Sequence, residues 1–112
     1  MPGQTLSGPG QAVVSPRVAE LNRLHFQHKL NRITVKGQTT ILGSCSSRGN
    51  LNFTWRLLLA PLPVVDYVII HELAHLLEMN HTPRFWQVVE GACPEYRRHL
   101  AWLRDMSATL YI

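Results

Sequence analysis

The sequence predicts an α+β domain: a small antiparallel sheet packed on one apolar helix, with further helices behind it. Three observations carry this. Val64 to Met79 is a largely apolar run of helical length. Three short β-rich runs precede it, at Arg32–Lys36, Thr39–Leu42 and Leu51–Thr54, close enough to pair as a meander. After Thr82, apolar residues recur at helical spacing as far as Leu103. With 112 residues the chain holds one core.

In chain order, residues 1–15 are rich in Gly, Pro, Ser and Gln and read as a flexible lead-in. Pro16 opens a helix to about Lys29, with Val18, Leu21, Leu24 and His28 near one stripe. The three strand runs follow, separated by Gly37 and by a Gly/Ser-rich loop over Gly43–Asn50. As the last of the three, Leu51–Thr54 is expected at the sheet edge, where an extended peptide adds through main-chain hydrogen bonds. Trp55–Leu59 is a short apolar segment packed beneath the sheet, and Pro61 and Pro63 mark the start of the apolar helix. Asn80 is its expected stop, in the left-handed conformation Asn tolerates. Thr82 then caps a helix begun by Pro83, running to Glu90 and closed by Gly91. A last helix starts near Pro94, with Tyr96, Leu100 and Leu103 inward and Arg97, Arg98, Arg104 and Asp105 outward. The domain spans 16–106, and 107–112 is a tail.

The apolar helix contains His71-Glu72-x-x-His75. A helix turns about 100° per residue, so the two imidazoles share a face, one turn apart. They can share one zinc ion at roughly 2.0–2.1 Å each. Glu72 flanks the metal without ligating it, the place for a general base. The competing reading is a core helix with two satisfied histidines. That is disfavoured, because burying two His and a Glu is costly without a use.

A third ligand must come from beyond the helix. Were the helix to continue, His81 would point about 240° from His75, so the break around Asn80 is what brings it to the metal. Three histidines leave one coordination position open, as catalytic zinc sites do. Glu90 and Glu95 are the alternative third ligands.

Charge and cysteine usage bound the rest. The net charge is +4, but only Arg97-Arg98 are adjacent and there is no basic tract, so nucleic acid is a secondary partner at most. Cys45 and Cys93 lack metal-ligand spacing and suggest reduced thiols in a cytoplasmic, monomeric protein. No apolar run spans a membrane, and no secretion signal is evident.

On these residues the chain resembles the YgjP-like metallopeptidase family, grouped with SprT-like and WLM proteins among the zincins. The matching segments are Gly43–Phe53, Trp55–Pro61, Asp66–Val68, His71–His75 and Asn80–Trp86, within residues 16–106. The family usually has a basic residue and a Trp where Ile41 and Leu42 stand, and extra N-terminal strands where this chain has its Gly/Pro lead-in. The resemblance implies a minimal zincin-like fold and one zinc ion on His71, His75 and His81, with Glu72 catalytic. The third-His spacing also suits metzincins, but Glu78 stands where their turn glycine belongs.

The reaction so implied is peptide hydrolysis, a zinc-bound water activated by Glu72 attacking a carbonyl of a peptide or unfolded protein. A zinc-dependent hydrolase of a nucleotide phosphoanhydride and a zinc-bearing nucleic-acid-associated module are the alternatives. Cys45 could close the site as a fourth ligand, but a small residue in a tight loop is the simpler reading. Tyr67 is one turn before His71 and is read as packing. Phe85 and Trp86 are read as holding the His81 turn. Asp66 and Glu78 are candidate partners of a ligand imidazole. Arg48, Tyr96 and His99 are candidates for stabilising the oxyanion.

Overall fold

The computed structural model describes residues 8–36 and 42–106. In order these form helix α1 (Gly8–His25), strands β1 (Arg32–Lys36), β2 (Gly43–Cys45) and β3 (Asn50–Thr54), a 3₁₀ turn (Trp55–Leu59), and helices α2 (Leu62–Ala74), α3 (Pro83–Ala92) and α4 (Tyr96–Met106). The α+β class is as expected. No helix among the described residues is long and apolar enough to cross a membrane.

The sheet departs from the expected meander. Its order is β1-β3-β2: β1 runs parallel to β3, and β2 antiparallel to it. The sheet is therefore mixed, and Leu51–Thr54 lies at its centre rather than its edge. Burial explains the placement. Leu51, Phe53 and Thr54 are all buried, as a strand paired on both sides requires. The Gly/Ser-rich segment expected as loop supplies β2, and only Ser46–Gly49 turns. The strand expected over Thr39–Leu42 lies outside the described residues except for Leu42, a buried bend residue.

The first helix begins well before Pro16, so residues 8–15 are helical and not a loose lead-in. Pro16 sits inside the helix, where it has no N–H to offer the carbonyl of Ala12. Tertiary contacts override this local preference. Val14, Val18 and Leu21 are buried, although Leu24 faces out. Gln11 donates from Nε2 to the Ile33 carbonyl (2.7 Å) and accepts at Oε1 from the Val35 N–H (3.0 Å). Its side-chain amide thereby satisfies the outer edge of β1. Arg17 holds Asp66 of α2 through two hydrogen bonds, 3.0 and 2.6 Å. The helix closes at Gln27, in the left-handed region (φ 60), with Asn22 bonded to both the N–H and the carbonyl of His28 at 2.9 Å.

The second helix is the buried spine. Val64, Val65, Tyr67–Ile70, Leu73 and Ala74 are all core residues. It has lost its regular ladder by Ala74, earlier than Asn80. His75 still has helical angles (φ −64, ψ −18), and the N–H groups of His75, Leu76 and Leu77 reach back three residues to Glu72, Leu73 and Ala74. Among described non-glycine residues only Gln27 has positive φ, so Asn80 is not a left-handed cap. Thr82 caps α3 as expected, its hydroxyl accepting from the Phe85 N–H at 3.3 Å, with Pro83 in the first turn. Gly91 continues this helix to Ala92 instead of closing it.

Candidate metal centre

Helix α2 delivers His71 and Glu72, nearly inaccessible at 1% and 2% exposure, and its C-cap residue His75 keeps the helical angles that hold it one turn after His71. The chain then turns at 75–81 and returns His81 to the same point. The Nε2 atoms of His75 and His71 each lie 3.2 Å from Nε2 of His81. Two ligands of a tetrahedral ion held at 2.0–2.1 Å are separated by about 3.3 Å, so these nitrogens are spaced to share one cation. These three residues are the group placed to hold a metal among the described residues; Glu90 and Glu95 are not part of it, nor is Cys45.

Hydrogen bonds and aromatic contacts orient the imidazoles. The Nδ1 of His75 is 3.1 Å from the carbonyl of Glu78. A carbonyl only accepts, so Nδ1 carries the proton and Nε2 offers its lone pair to the centre. The Tyr67 hydroxyl lies 3.3 Å from Nδ1 of His71. Phe85 is buried among all three rings, stacked on His75 (4.5 Å, 29°) and edge-on to His71 and His81. Trp86 stacks on His81 (5.8 Å, 26°). Phe85 and Trp86 do hold the His81 turn, as expected from the sequence.

Electrostatics favour neutral donors. Burial, aided by the neighbouring His75 and His81, lowers the pKa of His71 to about 3. Burial also lowers that of His75, against the opposing hydrogen bond to the Glu78 carbonyl. Neutral imidazoles are what a cation needs. Burial raises the Glu72 carboxyl to about 8, so it readily holds a proton near neutrality.

Glu72 faces a small cavity of about 180 Å³ lined by Gly43, Ser44, Cys45, His75 and Met79. Strand β2 forms one wall. Leu42 and Ser46 hydrogen-bond to β3 across the pair, so by alternation Gly43 and Cys45 turn their N–H and C=O groups away from it. Cys45 donates its S–H to the Ser46 carbonyl (3.4 Å), and burial lifts its pKa to about 12, so it is a neutral thiol.

The remaining candidates divide. Asp66 is bound to Arg17 and does not support a ligand. Glu78 supports His75 through its backbone carbonyl, while its carboxylate meets Arg84 at 3.6 Å. Tyr67, read as packing, is buried but also touches His71; its i, i+4 spacing was the signal. Arg48 is exposed in the Ser46–Gly49 turn, Tyr96 stacks on Trp86, and His99 lies beside Tyr67. None of the three makes a polar contact with the histidine cluster. The contact of Gly43 with Glu72 had no sequence signal.

Comparison with known proteins agrees with this geometry. The sequence profile of the YgjP-like metallopeptidase domain matches residues 9–106. The fold is similar to the crystal structure of the metallopeptidase zymogen of Pyrococcus abyssi abylysin, with a TM-score of 0.77 over 89% of this chain and 100% of that one, at 18% identity. No curated protein matches the chain.

Proposed function

The chain belongs to the YgjP-like metallopeptidase family, and from that premise we propose that it is a zinc-dependent peptidase whose ion is held by His71, His75 and His81. The observation that carries the reading is the convergence of three imidazoles beside a buried carboxyl, with Nε2 of His71 and of His75 each 3.2 Å from Nε2 of His81. Imidazole donors suit zinc among several transition metals, and three protein ligands leave a position open. Bound there, zinc would supply Lewis acidity and lower the pKa of water toward about 7.

Glu72 does the proton work. Its carboxyl is non-ligating, buried and faces the cavity; a cation held by the three histidines would favour its ionised form, which can take a proton from the attacking water and return it to the leaving amine nitrogen. The substrate is a peptide or unfolded protein laid along the outer side of β2. Gly43 and Cys45 present main-chain donors and acceptors there, beside Glu72, so an extended chain can add a strand with its carbonyl over the site. This replaces β3, whose groups are engaged on both sides. The unpaired Cys45 and Cys93 suit a reducing, cytoplasmic setting, and one chain holds the complete site, so a monomer suffices.

The test is turnover by the zinc-loaded protein. Cleavage of an unfolded protein, with nucleoside triphosphates untouched, supports the reading; hydrolysis of the triphosphates alone defeats it.

A further inference from the structure

Trp86 links the histidine cluster to a second feature. Its indole stacks on Tyr96 (5.3 Å, 20°) as well as on His81, and the Arg97 guanidinium lies 5.0 Å from the centre of the Tyr96 ring. Trp86, Tyr96, Arg97, Leu100 and Arg104 line a groove of about 370 Å³. Arg97 and Arg104 are seven residues apart on α4, hence within about 20° of one another on the helix face and about 10 Å apart along it. Two other arginines have carboxylate partners, Arg84 with Glu78 and Arg98 with Glu95. Arg97 and Arg104 have no carboxylate partner among the described residues.

We propose that this groove is a specificity subsite that receives a carboxylate of the peptide being cleaved, from an acidic side chain or a free C-terminus. The proposal rests on the peptidase reading and names its substrate preference. A guanidinium fork binds a carboxylate bidentately, and the Trp86, Tyr96 and Leu100 surfaces receive the methylenes that carry it. Arg97 is already held over Tyr96, which reduces the freedom it loses on binding. The groove is at the small end of ligand pockets and offers two cations without a carboxylate partner among the described residues. Nucleic acid would require a longer row of phosphate contacts. Trp86 lines the groove and also touches the rings of His71 and His81, so one end of the subsite adjoins the histidine cluster.

The test separates binding from turnover. Peptides are made in matched pairs, Glu against Gln at each position flanking a cleavage site and free C-terminus against C-terminal amide. Their affinities are measured on the zinc-loaded Glu72→Gln protein, with ATP as a competing probe. The acidic member of one pair is expected to bind about 10- to 100-fold more tightly. Arg97→Gln with Arg104→Gln should bring that ratio near one, and Arg→Lys should restore part of it. In the protein with Glu72 intact, the preference should appear in KM rather than kcat. Equal affinity within every pair overturns the subsite, as does a ratio that survives in the folded, zinc-loaded double variant. Tighter binding of ATP with the same arginine dependence also overturns it, in favour of a phosphate ligand. Cleavage of neutral peptides without acidic preference rejects the subsite alone. Failure to cleave any peptide rejects the peptidase reading, while the affinity ratios still decide the groove.

Discussion

The hydroxyl of Tyr67 sits 3.3 Å from Nδ1 of His71, one helical turn away and sealed from solvent. With Nε2 of His71 directed at the shared centre, Nδ1 carries the proton and Tyr67 oxygen accepts it. Tyr67→Phe keeps the ring and its packing but leaves that N–H unpaired, at a cost of about 1–3 kcal/mol. Metal affinity should fall about 10- to 100-fold, read by competition with a chelator. An unchanged affinity would mean that Tyr67 only packs.

His81 is the exposed member of the three-histidine group and the one farthest from α2, six residues beyond the cap residue His75. His81→Ala should abolish stoichiometric metal after dialysis, as measured by elemental analysis. Glu90→Ala and Glu95→Ala should keep it, because Glu90 is exposed on α3 and Glu95 is engaged with Arg98. Full metal in His81→Ala with loss in Glu90→Ala would hand the third position to the carboxylate.

Glu72→Gln retains shape and loses basicity. Hydrolysis should drop roughly 100- to 10,000-fold with metal content intact. The metal-free protein gives an independent readout. Burial raises Glu72 from 4.5 to about 8, so its contribution to stability is complete below pH 4.5 and is lost as pH rises toward 8. Burial lowers His71 from 6.5 to about 3, so its contribution is complete above pH 6.5 and is lost as pH falls toward 3. Between pH 6.5 and 8 only Glu72 of this pair changes. Metal-free parent protein should lose up to about 2 kcal/mol across that window relative to Glu72→Gln. Parallel pH–stability curves for the two proteins would refute a raised Glu72 pKa.

Much of the centre was legible because its determinants are local. The His71–His75 spacing is a helix property, and Thr82-Pro83 is a local helix-start signal, a capping hydroxyl followed by a preset φ. Strand Arg32–Lys36 is likewise where its β-rich residues put it. What escaped was set by tertiary pairing. Gly43-Ser44-Cys45 has little β propensity, yet it becomes a strand because β3 supplies a partner. Gly8–Ser15 becomes helical because Val14 is buried and Gln11 bonds to β1, contacts invisible to composition. Parallel pairing of β1 with β3 follows from β3 entering between β1 and β2, which alternation within one strand cannot reveal. Asn80 and Gly91 carry the residue types of helix stops without the conformation.

Gly43 gives the sharpest test of how β2 shapes the site. A Cβ there would stand 3.1 Å from Cδ1 of Phe53, 3.2 Å from the Asn52 carbonyl and 3.2 Å from Cγ of Glu72. Phe53 is buried in the central strand and the Asn52 oxygen is backbone, so Glu72 is the neighbour with room to yield. Gly43→Ala should therefore cost about 1–3 kcal/mol of overpacking and push the Glu72 carboxyl out of register with the histidines. Metal content should stay at one equivalent, since the three atoms nearest such a Cβ belong to Phe53, Asn52 and Glu72 and to none of the three histidines, while peptide cleavage falls at least roughly 10-fold. The route is checked by combining the changes. If Gly43 acts through Glu72, Gly43→Ala adds no further loss of cleavage to Glu72→Gln, although the stability cost remains. Full turnover in a folded Gly43→Ala protein, or an additive loss in the double variant, would show that β2 does not position Glu72.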